Sequence, residues 1–119
     1  MDPNGPAMGS AILCLLHARL GNTTKAYELF TKSHKPNEVP PFGELAETAG
    51  GANPYFATGA GSFLQTLLNG FGGLDITKTG IVQLKTKLPT QWKSLTLKGI
   101  GVEEKTLIVR PVLACLRGK

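Results

Sequence analysis

The 119-residue chain carries a net charge of +5, with 41% hydrophobic and 18% charged side chains, a balance that folds and excludes a disordered polyelectrolyte. Its 15 glycines and 8 prolines follow no fixed period, which excludes a collagen-like chain, and no internal repeat is present. The longest early apolar run, Ala11 to Leu16, is far too short to cross a bilayer and lacks the basic flank of a secretory signal.

The first predicted element is a helix. Asn4-Gly5-Pro6 supplies a cap-competent residue and a proline where a first turn tolerates one. Met8, Ala11, Ile12, Leu15, Leu16 and Leu20 recur at helical spacing, and Gly21 is the stop. Asn22 or Thr23 starts a second helix, with Ala26, Leu29 and Phe30 as its apolar stripe up to about Ser33. So short a connection predicts antiparallel neighbours.

Pro36, Pro40 and Pro41 end the helical region and open a glycine-rich loop with two carboxylates, Glu44 and Glu47. The loop is expected to have no regular structure of its own, and a loop of this length is usually functional. Thr58 is expected to cap a third helix that buries Phe63, Leu64, Leu67, Leu68 and Phe71 and stops at Gly72-Gly73. Gly59-Ala60-Gly61 at its start permits close approach of another backbone or a ligand.

After Asp75 the period changes from 3.6 to 2. Strands are predicted over residues 81–86, 95–98 and 106–109. Gly99 and Gly101 lead into a turn at Glu103-Glu104-Lys105, and Trp92 is expected to close one end of a small β-core. Residues 112–119 show no pattern. Three helices with wide apolar faces and three short strands do not close on themselves, so the chain is expected to be incomplete or to need a partner.

The charge is uneven. Residues 1–77 hold four basic and six acidic side chains (net −2), and residues 78–119 hold nine basic and two acidic (net +7). Lys85, Lys87, Lys93, Lys98 and Lys105 alternate with apolar residues and lack interleaved aromatics. That pattern favours a solvated sheet face over nucleic-acid binding. Cys14 and Cys115 lie at opposite ends without metal-type spacing, so neither a disulfide nor a metal site is expected. His17 and His34 fall on helical segments and read as packed or surface residues. No phosphate-binding glycine motif is complete, although a helix start such as Gly59-Ala60-Gly61 keeps an anion open as a minor alternative.

Glu44 and Glu47 remain. Most glycoside hydrolases need two carboxylates, one as general acid and one as base or nucleophile. These two are too near in sequence to form that pair, and an isolated E-x-x-E reads more readily as one solvated acid and one paired one.

Several stretches together resemble glycoside hydrolase family 65. They are M-D-P-N-G-P-A-M at the start, A-R-L-G followed by K-A-Y-E-L-F, then P-P-F-G-E-L-A-E-T and N-P-Y-F-A-T-G-A-G-S-F-L-Q-T-L-L-N-G-F-G-G-L-D. The last is G-I-V-Q-L-K-T-K-L-P-T-Q-W-K-S-L-T-L-K-G-I. The resemblance covers about residues 1–110. It implies an α+β chain: the last helices of an (α/α)6 catalytic barrel over 1–74, part of a C-terminal β-sandwich domain over 75–111, and an irregular tail over 112–119. By the same resemblance Glu47 is the general base of an inverting hydrolase, and Glu44 is a second choice that lines the sugar pocket or steadies the loop. The substrate would be an α-linked glucose disaccharide such as kojibiose, nigerose, trehalose or maltose, with no cofactor, metal, nucleic acid or membrane involved. The general acid would come from a missing N-terminal part, so the chain alone is expected to be inactive. Two alternatives stay open. One is a disaccharide phosphorylase of the same family, whose histidines are replaced here around Asn4–Met8 and Asn53–Phe56. The other is a small basic interaction module.

Overall fold

A computed structural model describes residues 5–51 and 53–111. The expected cap at Asn4, the tail over 112–119 and Cys115 lie outside the described residues. Helix α1 spans Ala7–Arg19, directly after an extended Pro6, and Gly21 ends it at φ +77°. Such a conformation favours glycine, because a Cβ crowds the following carbonyl. Helix α2 spans Thr23–Lys32, and the Asn22 side chain caps it by accepting from the Lys25 N–H at 3.3 Å.

The buried face of α1 differs from the expected one. Ala7, Ser10, Ala11, Cys14 and Ala18 are buried, while Met8, Ile12, Leu16 and Leu20 are exposed, Leu20 by 81%. The reason is distance of approach. Gly70 lies so close to α1 that an added Cβ would sit 3.4 Å from Leu15 Cα and 3.5 Å from Ala18 Cβ. Helix α1 meets Gly70 at this point through Ala18 and the backbone of half-buried Leu15, and the face carrying Ile12, Leu16 and Leu20 is turned outward.

Helix α3 spans Ala57–Gln65, starting one residue before Thr58, with Phe56 rather than Thr58 at the cap position. A wider π-helical turn, Thr66–Phe71, follows it. Its longer repeat changes the buried set to Thr66, Gly70 and Phe71, leaves Leu64 and Leu68 exposed, and keeps Phe63 and Leu67 half-buried. Gly72 and Gly73 do end the element, and Gly73 adopts φ +71°.

The loop is not wholly irregular. A single turn of 3₁₀ helix at Lys35–Asn37 leads into a miniature hairpin, in which β1 (Glu38–Val39) pairs antiparallel with β2 (Glu44–Leu45).

Four further strands form two hairpins. β3 (Leu74–Thr77) pairs with β4 (Gly80–Gln83), and β5 (Leu95–Ile100) pairs with β6 (Lys105–Val109) around an irregularity between Leu97 and Ile100. The strand expected over 81–86 is shorter because its partner runs out. Leu74 is the last residue facing it, and beyond that the chain bends at Gly73 into the π turn. The Leu84 N–H then bonds the Gly73 carbonyl at 2.8 Å and Thr86 Oγ1 donates to the Phe71 carbonyl at 2.6 Å. Lys85, Lys87 and Lys93 therefore lie outside paired strands, although all five lysines are solvent-exposed as expected.

Trp92 does not close a separate β-core. It packs edge-on against Phe71, Phe30 and Tyr27 at ring distances of 4.8, 5.2 and 6.2 Å. The main apolar cluster joins Cys14, Ala18, Ala26 and Leu29 of the helices to Phe71, Leu88 and Val109. The described chain is thus a mixed α+β unit of three helices and short antiparallel two-stranded sheets.

Candidate functional site

The loop bearing both carboxylates is rooted in the aromatic core at the end of α2. His34 Nδ1 donates to the Phe30 carbonyl at 2.8 Å, and its ring packs 5.0 Å from both Phe30 and Phe63. This packed histidine agrees with the expectation for it and fixes the chain as it leaves α2. Three residues on, Asn37 is only 2% exposed. A buried amide needs partners, and Asn37 finds them on the strand that leads to Glu47. Its Nδ2 donates to the carbonyls of Ala46 and Glu47 at 3.0 and 3.1 Å, and its own carbonyl accepts from the Ala46 N–H at 2.8 Å.

Glu47 is half-buried just past β2. Its N–H bonds the Asn53 carbonyl at 3.2 Å, while Asn53 Nδ2 donates to Glu47 Oε2 at 2.6 Å. The excursion between these two residues uses Gly50 and Gly51 at φ +91° and +93°, and the Phe56 N–H bonds the Leu45 carbonyl at 2.7 Å where the chain returns. Asn53 and Tyr55 also hold positive φ, at 50° and 64°. Such strain in non-glycine residues gathers at functional loops.

Glu44 lies in β2 opposite Val39 and is half-buried. Among the described residues no hydrogen bond joins it to Glu47. The two carboxylates therefore have different settings, one on the hairpin ladder and the other held by an amide. Asn37 and Asn53 were not singled out from the sequence as contacts of Glu47. Their signal is only that asparagine favours local backbone bonds and tolerates left-handed turns.

The remaining polar groups belong elsewhere. Cys14 is fully buried, and desolvation pushes its thiol up to about 12 despite an opposing hydrogen bond with Thr66, as befits an inert packing residue. His17 Nδ1 is buried without a hydrogen-bond partner among the described residues. No described group of three or more His, Cys, Asp or Glu is placed to hold a metal, and no described helix is long and apolar enough to cross a membrane. An open cleft of about 510 Å³ lies between the β3–β4 and β5–β6 hairpins, bordered by Ile81, Ile100, Val102 and Leu107 among others. Neither Glu44 nor Glu47 borders it.

No protein-family profile matches the chain. Individual proteins do. The chain is 58% identical over 105 residues to a kojibiose hydrolase of Mucilaginibacter mallensis, a match covering 88% of this chain and 16% of that protein. It is 50% identical over 105 residues to a kojibiose hydrolase of Flavobacterium johnsoniae, covering 87% and 15% respectively. A kojibiose phosphorylase of Thermoanaerobacter brockii matches at 27% identity over 92 residues, covering 77% and 11%. The chain thus spans about a sixth of the length of the hydrolases it matches. Identity this high across nearly the whole chain reflects common descent, and the chain belongs to glycoside hydrolase family 65.

Proposed function

We propose that these residues form the general-base segment of an inverting α-glucoside hydrolase acting on an α-linked glucobiose, with kojibiose the first substrate to try. Glu47 deprotonates a water molecule, which attacks the anomeric carbon on the face opposite the leaving group. The observation that carries this reading is the treatment of Glu47. It is a half-buried residue whose backbone and side chain are both tied down at the end of a glycine-rich loop, the side chain through a solvent-exposed bond to Asn53. Glu44 has the lesser role of a pocket-lining or loop-steadying acid.

In the same reading, residues 1–74 close an (α/α)6 barrel and 75–111 begin a β-sandwich. The general acid is supplied by residues outside these 119, so the polypeptide by itself is inactive. Hydrolysis is preferred to phosphorolysis because the two hydrolases match at 58% and 50% identity and the phosphorylase at 27%.

The test is Glu47→Gln in the complete enzyme. Loss of a general base costs on the order of 10²- to 10⁴-fold in turnover, and the isosteric amide should leave sugar affinity nearly unchanged. Wild-type turnover by the variant would remove Glu47 from the mechanism. Hydrolysis of kojibiose by the 119-residue polypeptide alone would overturn the proposal that the acid lies elsewhere.

A further inference from the structure

A carboxylate that activates water must present a free oxygen lone pair along one direction, and a freely rotating glutamate does not. We propose that Asn53 is the positioning residue that fixes the orientation of the Glu47 carboxylate, a role that rests on Glu47 being the base as read above. The Asn53 amide grips one oxygen, Oε2, at 2.6 Å. An ionised carboxylate offers about four acceptor sites, so the one donor it has among the described residues, on Oε2, orients the group and leaves Oε1 lone pairs for water. The grip is not a chance side-chain contact. The Asn53 carbonyl simultaneously accepts from the Glu47 N–H at 3.2 Å, so both halves of Asn53 engage the same glutamate.

From the other side, buried Asn37 ties the Ala46 and Glu47 carbonyls. The backbone at residue 47 is thereby immobilised before the side chain is aimed. Asn53 holds φ +50°, a conformation asparagine tolerates better than most residues. A neutral amide suits this position. It donates to the carboxylate without the strong ion pair a lysine or arginine would form there, which would hinder proton uptake from water.

A purely conformational role for Asn53 is separable from a positioning role. Asn53→Gly accepts φ +50° without strain and retains the backbone carbonyl, but has no amide side chain. Asn53→Asp preserves shape and left-handed tolerance but replaces the donor by a second carboxylate. In the complete enzyme, positioning predicts that Asn53→Gly lowers kcat about 10- to 100-fold with KM changed less than about threefold, and that Asn53→Asp falls further through like-charge repulsion. If both variants keep wild-type kcat while Asn53→Ala loses it, the residue serves only the turn and the proposal is wrong. A rise in KM at unchanged kcat would make Asn53 a substrate contact and overturn it equally. Glu47→Gln, run in parallel, separates the two levels. A loss there with no loss in Asn53→Gly rejects the positioning role alone, and retained turnover there rejects the base itself and this role with it.

Discussion

Residues 7–71 and residues 74–109 both expose large apolar side chains, but most of the fully buried ones lie in the first. In the helical part Cys14, Thr66 and Phe71 are completely buried, and Phe30 is surrounded by Tyr27, His34, Phe63, Phe71 and Trp92. In the hairpins, all four residues of β4 are exposed and only Leu74 of β3 is buried. Each hairpin is a two-stranded sheet, which is marginal unless something packs on it. The β5–β6 hairpin joins the main cluster through Leu95 and Val109, alongside Leu88 and Trp92 of the segment before it. The difference shows where positional precision resides. The Glu47 loop springs from the helical part through His34 and Asn37, the rigid support that the general base proposed above would need.

That contrast can be broken most directly at Phe71. Phe71→Ala should cost about 3–5 kcal/mol, read in urea unfolding by the fluorescence of Trp92, whose ring lies 4.8 Å away. Ile76→Ala, at an 81% exposed position of β3, should change stability by less than about 0.5 kcal/mol in the same assay. Equal costs would mean that the hairpins share the core's stability and that the division drawn above is false.

A smaller effect is expected at the junction. Gly73 holds φ +71°, and a Cβ there would collide with the Leu84 carbonyl oxygen. Gly73→Ala should cost roughly 1–3 kcal/mol and speed amide exchange at Leu84, whose N–H bonds the Gly73 carbonyl. Unchanged exchange there would show that the junction is slack.

The mildest test is chemical. The Cys14 thiol, pushed up to about 12 from 9.0, stays protonated in the fold where an unfolded thiol ionises. The folded state then binds more protons than the unfolded one between about pH 9 and 12, so this residue's contribution to stability falls as pH rises through that window. In a Cys115→Ser background, Cys14 should resist a thiol reagent at pH 8 until denaturant is added. Rapid native labelling would show that α1 opens readily and would weaken the contrast.

Much of this was legible from local patterns. Gly21, Asn22 and the Ala26–Leu29 stripe delimit the first two helices because capping and periodicity are local properties. The buried face of α1 was not legible. Its leucines are the strongest hydrophobic signal, yet close contacts to α1 come from Gly59 and Gly70, about fifty residues away, against Ala7, Leu15 and Ala18. The π turn escaped for a similar reason, since a residue pattern spaced for 3.6 per turn does not announce a wider coil. At the site, the carboxylates were visible as residues and Glu47 was preferred through family resemblance. Its amide partners, ten positions before and six after, depend on how the loop folds back and have no sequence signature of their own.

The alanine face of α1 also separates what can be altered from what cannot. Exchanging Ile12, Leu16 and Leu20 for lysine or glutamate repaints a face that is exposed among the described residues without touching the buried Ala11, Cys14 and Ala18. A laboratory wishing to handle these residues as a soluble miniature would begin its redesign on that greasy flank. One extra methylene at Ala18, by contrast, would prise apart the helices on which the glutamate ultimately stands.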